Sequence, residues 1–175
     1  VYSEKHYRLS SIVAQSFHPI IPSKKSIMTT ANSSLTPRTE IVFIESNVAD
    51  YASLIAGLDP SLEVHVLDAT GDGIAQMADI LAERSGIDAI HLISHGSAGA
   101  VQLGTVTLDE ETLQSRRAEL ETIGKSLSED GDLLLYGCNV AQGQSGIDFI
   151  GKLAQATHAD VAGSKNATGE SSNGG

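Results

Sequence analysis

Two apolar runs that stop on chemistry-bearing residues constrain this chain most. Ala89-Ile90-His91-Leu92-Ile93-Ser94 runs into His95-Gly96, and Asp132-Leu133-Leu134-Leu135 runs through Tyr136-Gly137 into Cys138, the sole cysteine. Short, nearly continuous apolar runs bounded by glycine read as buried parallel strands. In open parallel sheets, ligands and reacting groups gather just past the carboxyl ends of the strands. Two such strands side by side put an imidazole and a thiol on one edge, the minimum for a cysteine nucleophile and its base.

The rest of the pattern supplies such a sheet. Glu40-Ile41-Val42-Phe43-Ile44-Glu45 reads as the first strand, and Glu63 to Asp68 as the second. Tyr51 to Leu58 reads as a short helix capped by Asp50, and Gly73 to Arg84 as a helix with Ile74, Met77, Ala78, Ile80 and Leu81 on one face. Residues 100–108 alternate about Gly104 and read as a small hairpin. Asp109 caps a long helix to about Leu127, Ser145 to Ala156 forms another, and Asp160 to Gly163 is a final short strand. Strands alternating with helices predict right-handed crossovers and an α/β fold. The expected architecture is a three-layer α/β/α sandwich with a mainly parallel sheet of about five strands. Residues 40–165 form that domain, 1–39 a flexible segment interrupted by Pro19, Pro22 and Pro37, and 166–175 a polar, glycine-rich tail.

Charge narrows the partners. The formal net charge is −11, yet Lys5, Arg8, Lys24, Lys25 and Arg38 gather before residue 40. The remainder is strongly acidic, which argues against nucleic acid and anionic membranes. No stretch approaches the roughly 18 apolar residues that span a membrane. The chain opens at Val1 without the basic, apolar and small-residue order of a secretory signal, and a fragment would carry none. One cysteine excludes an intrachain disulfide.

A free thiol has a pKa of about 8.5 and needs a neighbouring imidazole to react as thiolate at neutral pH. Attack on a carbonyl also needs donors for the developing oxyanion. The N–H groups of Gly96 and Cys138 are placed to serve, since Gly96 and Gly137 let the backbone approach closely.

These residues carry a resemblance. Ser94-His95-Gly96 and Tyr136-Gly137-Cys138, each closing an apolar strand, resemble the signature of the caspase-like cysteine peptidases (clan CD). That group includes caspases, legumain, gingipains, clostripain, separase and self-cleaving domains of bacterial toxins. The resemblance implies Cys138 as nucleophile, His95 as general base and acid, and the Gly96 and Cys138 N–H groups as oxyanion hole. Tyr136, two residues before Cys138, would help line the pocket for the residue preceding the scissile bond. A closer likeness is to an uncharacterised domain near the N-terminus of very large bacterial secreted repeat proteins and adhesins. It lies in Ile44-Glu45-Ser46-Asn47-Val48, in Ala89 to Gly99, in Leu103-Gly104 and in Leu134 to Cys138. It implies a secreted or surface-exposed parent protein. A peptide or protein substrate follows, with the parent chain itself as one candidate and Lys24-Lys25 and Arg38 as processing sites.

Glu45 and Asp68 end the first two strands at the same edge, where a carboxylate would favour a basic substrate residue. The competing reading makes them helix caps or solvated carboxylates. Asp68-Ala69-Thr70-Gly71-Asp72-Gly73 with Asp79 fits a calcium loop in part, but Thr70 replaces a preferred Asp or Asn, and a tight strand-to-helix turn explains the residues equally well. No zinc spacing and no phosphate-binding glycine loop occur, so no cofactor is expected. A non-catalytic capping or binding module is the alternative function, in which Cys138 is an inert small hydrophobe. A flavodoxin-like ligand domain is weaker still, because the acidic metal cluster and phosphate loop are missing.

Overall fold

A computed structural model describes residues 38–166. The segment before residue 38 and that after 166 lie outside the described residues, as do Lys24-Lys25.

The elements follow in the order β1 (Glu40–Glu45), α1 (Tyr51–Ala56), β2 (Glu63–Leu67), α2 (Gly73–Leu81) and β3 (Ile87–Ile93). Then come β4 (Gly96–Ser97), β5 (Ala100–Leu103), β6 (Val106–Asp109), α3 (Thr112–Ser115), α4 (Arg117–Ser126), β7 (Leu127–Leu135), α5 (Gly143–Thr157) and β8 (Asp160–Gly163). Five strands pair in the order β2-β1-β3-β7-β8, every neighbouring pair parallel. The α/β class and the five-stranded parallel sheet are those the sequence predicts.

The strand order fixes where the helices lie. Only the β1-to-β2 connection moves toward one edge; the later crossovers move toward the other. Right-handed connections therefore place α1 on one face and α2, α4 and α5 on the opposite face. The buried side chains agree. Ile41, Phe43, Ile90, Leu92, Leu133 and Leu135 pack with residues of α2, α4 and α5. Val42, Ile44, Ala89, Ile93 and Leu134 pack on the other face, with Tyr51, Leu54 and Ile55 of α1 against them. With few aromatics, the larger core is built chiefly of branched aliphatic side chains, whose burial contributes about 1.5–3 kcal/mol each.

Three local features depart from expectation. The hairpin is part of a three-stranded antiparallel sheet, β4-β5-β6, because Gly96 and Ser97 pair with Val101 and Ala100. The helix expected from Asp109 to Leu127 breaks at Arg116, and β7 begins already at Leu127. Asp109 still closes a reciprocal cap: its Oδ1 accepts from the Thr112 N–H at 2.9 Å, and its own N–H donates to Thr112 Oγ1 at 2.8 Å. Asp50 sits before α1 in the left-handed region, φ 55°, and accepts from the Ser53 hydroxyl at 2.8 Å rather than from a backbone N–H.

The hairpin is clamped over the C-terminal edge of the sheet. Thr105 N–H donates to the Gly71 carbonyl at 2.8 Å, and Asp72 bridges to Gly104. Asp72 also caps α2 through the Ile74 and Ala75 N–H groups and pairs with Arg116 at 2.6 Å.

Candidate active site at the sheet edge

Strands β3 and β7 are hydrogen-bonded neighbours, with Leu92 opposite Leu135. Their apolar side chains fix that register, since a one-residue slip would turn every one to the wrong face. The chain segments leaving them stay in contact. A Cβ placed on Gly96 would lie 3.2 Å from the Gly137 Cα, and one on Gly137 would lie 3.3 Å from the Gly96 N. Val140, fully buried, fills the remaining space: its Cγ2 would be 2.5 Å from a Cβ on Gly96 and 2.8 Å from one on Gly137. Two absent side chains thus let the backbones beside His95 and Cys138 touch.

The loop carrying Cys138 is tied at three points. Asn139, left-handed at φ 59°, donates its N–H to the Asn166 carbonyl at 3.1 Å. The Val140 carbonyl accepts from Gly99 N–H at 3.0 Å, and Ala141 N–H donates to the Ser164 carbonyl at 2.9 Å. Asparagine tolerates the left-handed region better than most residues. The loop leads directly into α5. Cys138 forms no disulfide and is half-buried.

His95 is exposed and turns toward the end of β1. Its Nε2 lies 3.3 Å from the Asn47 carbonyl oxygen. A carbonyl only accepts, so Nε2 carries the proton in this contact and the neutral ring keeps Nδ1 as its lone-pair nitrogen. The ring also stands at the point where the strand order reverses, between β1 and β3, where connections diverge to opposite faces.

The other residues singled out by sequence occupy different environments. Tyr136 is 5% exposed, and its hydroxyl lies 3.1 Å from His91 Nδ1 inside the core. The ring packs beneath the edge instead of facing solvent. Asp68 is exposed, and its Oδ1 accepts from the Thr70 N–H and hydroxyl at 2.8 Å, which holds its carboxyl below the usual range. Asp72 is engaged as a cap and an ion pair, and Asp79 points outward from α2. Among the described residues no three His, Cys, Asp or Glu side chains group as metal ligands would.

Glu45 is fully buried at the end of β1, and neither carboxylate oxygen has a partner of hydrogen-bond geometry. Its Oε1 would be 2.8 Å from a Cβ on Gly73, so the side chain is packed against the start of α2 beneath the hairpin. Burial pushes its carboxyl above the ordinary range, against the pull of the Gly104 N–H and His95 and with the push of Asp68. Ser94, next along β3 from Ile93, is 7% exposed with an unpartnered hydroxyl.

Sequence reasoning missed the Asn47 carbonyl, the Ser94 hydroxyl and the Val140 wedge. A backbone carbonyl has no residue code, so nothing in the composition could announce the first. The adjacency of Ser94 to His95 was the only signal for the second.

Among the described residues no helix is long and apolar enough to cross a membrane. No curated protein matches the chain. A family model described as "Domain of unknown function (DUF4347)" matches residues 41–175, which takes in every strand but the first residue of β1. That span is most of the chain, and the protein belongs to the DUF4347 family.

Proposed function

We propose that this domain is a caspase-like cysteine endopeptidase using His95 and Cys138. The observation that carries the reading is the backbone contact between Gly96 and Gly137, with the His95 ring anchored on the Asn47 carbonyl. That anchor leaves Nδ1 as the basic nitrogen.

The reaction follows from these groups. His95 takes the thiol proton, and the Cys138 sulfur attacks the carbonyl carbon of the scissile amide. The N–H groups of Gly96 and Cys138 stabilise the oxyanion as it forms. His95 then passes its proton to the leaving amine nitrogen as the carbon–nitrogen bond breaks, leaving a thioester on Cys138. Water, deprotonated by His95, attacks that thioester; the acid product leaves and the thiol is restored.

The substrate is a peptide segment, either of the parent chain or of a neighbouring surface protein, in a secreted or cell-surface setting of a large bacterial protein. At Arg38, one candidate processing site, the guanidinium pairs with Glu40 at 3.3 Å and donates to the Asp88 carbonyl at 3.3 Å.

Intact mass spectrometry under reducing conditions tests the reading, with wild type beside Cys138→Ala and His95→Ala. Truncation or a covalent peptide adduct in the wild type alone supports it. Identical intact masses, together with a Cys138 that resists iodoacetamide in the native state, sink it in favour of a non-catalytic capping module.

A further inference from the structure

Glu45 is the unexplained side chain of this edge. A carboxylate removed from water normally finds a hydrogen-bonding or charged partner, because leaving it without one is costly. Here neither oxygen has a partner of full hydrogen-bond geometry, at full burial, although the Gly104 N–H pulls on the carboxyl. The register, in which Ile44 pairs with Ile93, continues to Ser94, the residue after β3, and the Ser94 hydroxyl is the other unpartnered buried group at this end. The residue after Ser94 is His95, whose ring lies on the Asn47 carbonyl, two residues beyond Glu45.

The groups packed around Glu45 narrow what it can answer to. From β2, Asp68 adds negative charge and is engaged with Thr70. From α2, the Gly73 backbone abuts the carboxylate and the helix start favours an anion. Asp72 is nearby in sequence, but it is held by Arg116, which is shared with Glu119 at 3.1 Å. From the hairpin comes the Gly104 N–H, and from β3 comes His95. Among the described residues His95 is therefore the one group in this set that can gain a positive charge and is not already held by a carboxylate.

We propose that Glu45 is a positioning residue for His95: its sealed carboxylate is the counter-charge that holds the imidazolium form while Cys138 is a thiolate. The inference rests on the proposed dyad. Its chemistry is electrostatic. When His95 accepts the thiol proton it becomes cationic, and an anion one strand away favours that state by charge attraction. An orphaned carboxylate that costs stability is then retained for what it does to its neighbour.

NMR titration of the His95 ring in wild type and Glu45→Gln tests this, each also in a Cys138→Ala background. The expected result is a His95 pKa lower by roughly half a unit to one unit in Glu45→Gln, with Glu45→Asp recovering part of the difference. Alkylation of Cys138 near neutral pH should slow by about three- to tenfold in Glu45→Gln. An unchanged His95 titration in folded Glu45→Gln overturns the proposal, whereas a purely structural role would alter melting and leave the titration alone. If Glu45→Gln does not fold, the wild type decides. A common titration step in the Glu45 carboxyl carbon and the His95 ring supports the coupling, and independent steps overturn it. The two readings fail separately. A protein that never cleaves but whose His95 responds to Glu45 sinks the peptidase alone; a cleaving protein whose His95 ignores Glu45 sinks this inference alone.

Discussion

Strands β1 and β3 bury a polar cluster at each end, and the two clusters are opposites. At the start of β1, Glu40 pairs with Arg38 at 3.3 Å and with His91 at 3.3 Å, and His91 reaches Tyr136 at 3.1 Å. At the end of β1, Glu45 has no such partner and Ser94 has none either. The two carboxylates are five residues apart and face opposite sides of the sheet, as the alternation of a strand requires. One cluster is held by ion pairs and ties the incoming chain to the core. The other is left short at the strand ends that lead to His95. Native folds rarely leave buried polar groups unsatisfied, so the deficit points to the functional end.

Four experiments break or sharpen that contrast. The largest effect belongs to the site. Removing the thiol in Cys138→Ala, or the base in His95→Ala, is expected to cut peptide hydrolysis by at least about 10³-fold with little change in melting. A peptide-release assay beside thermal melts reads both. Next is the ion-paired cluster. His91→Leu takes the imidazole from the buried Glu40 carboxylate and leaves it Arg38, which should cost roughly 2 kcal/mol in urea denaturation, while Cys138 alkylation in the folded protein stays as in wild type. If that variant instead silences the thiol and keeps its stability, the division between the two ends is wrong.

Gly96→Ala is the third. The added methyl meets Val140 and the Gly137 backbone, at the distances already given, and forces the two strand ends apart. About 1–3 kcal/mol of stability should go, with activity falling further than stability explains. Glu45→Gln is the smallest and has the opposite sign. The folded carboxyl titrates above its unfolded value of about 4.3, so the neutral form is favoured on folding. Wild-type stability then declines as pH rises from that unfolded value through the raised folded value, and stays lower above it. The variant lacks this slope. It should match wild type near pH 4 and exceed it by about 1 kcal/mol at pH 7–8. Denaturation midpoints across that range check it, and parallel curves for the two proteins would show that the buried charge costs nothing.

Much of the fold was legible because apolar runs and glycine stops are local. Ile41 to Ile44 and Leu133 to Leu135 each carry their own burial signal, and the helices of Met77 and Phe149 their own periodicity. The break at Arg116 was not legible: Arg117 and Ala118 suit a continuing helix, and the Asp72 carboxylate that holds Arg116 comes from 44 positions earlier in the chain. Pairing of Gly96 and Ser97 with β5 was hidden in the same way, since two residues carry no period.

The site divides along the same line. By itself the sequence determined that a histidine and a cysteine end two buried strands, each next to a glycine, because strand ends and glycines are written in consecutive residues. Only the tertiary structure decided that those glycines touch, that the His95 ring rests on the Asn47 carbonyl, that Tyr136 turns inward to His91, and that Glu45 is sealed under the hairpin. Each of those depends on which strand lies beside which, and that order follows from the handedness of the crossovers and the packing of whole faces.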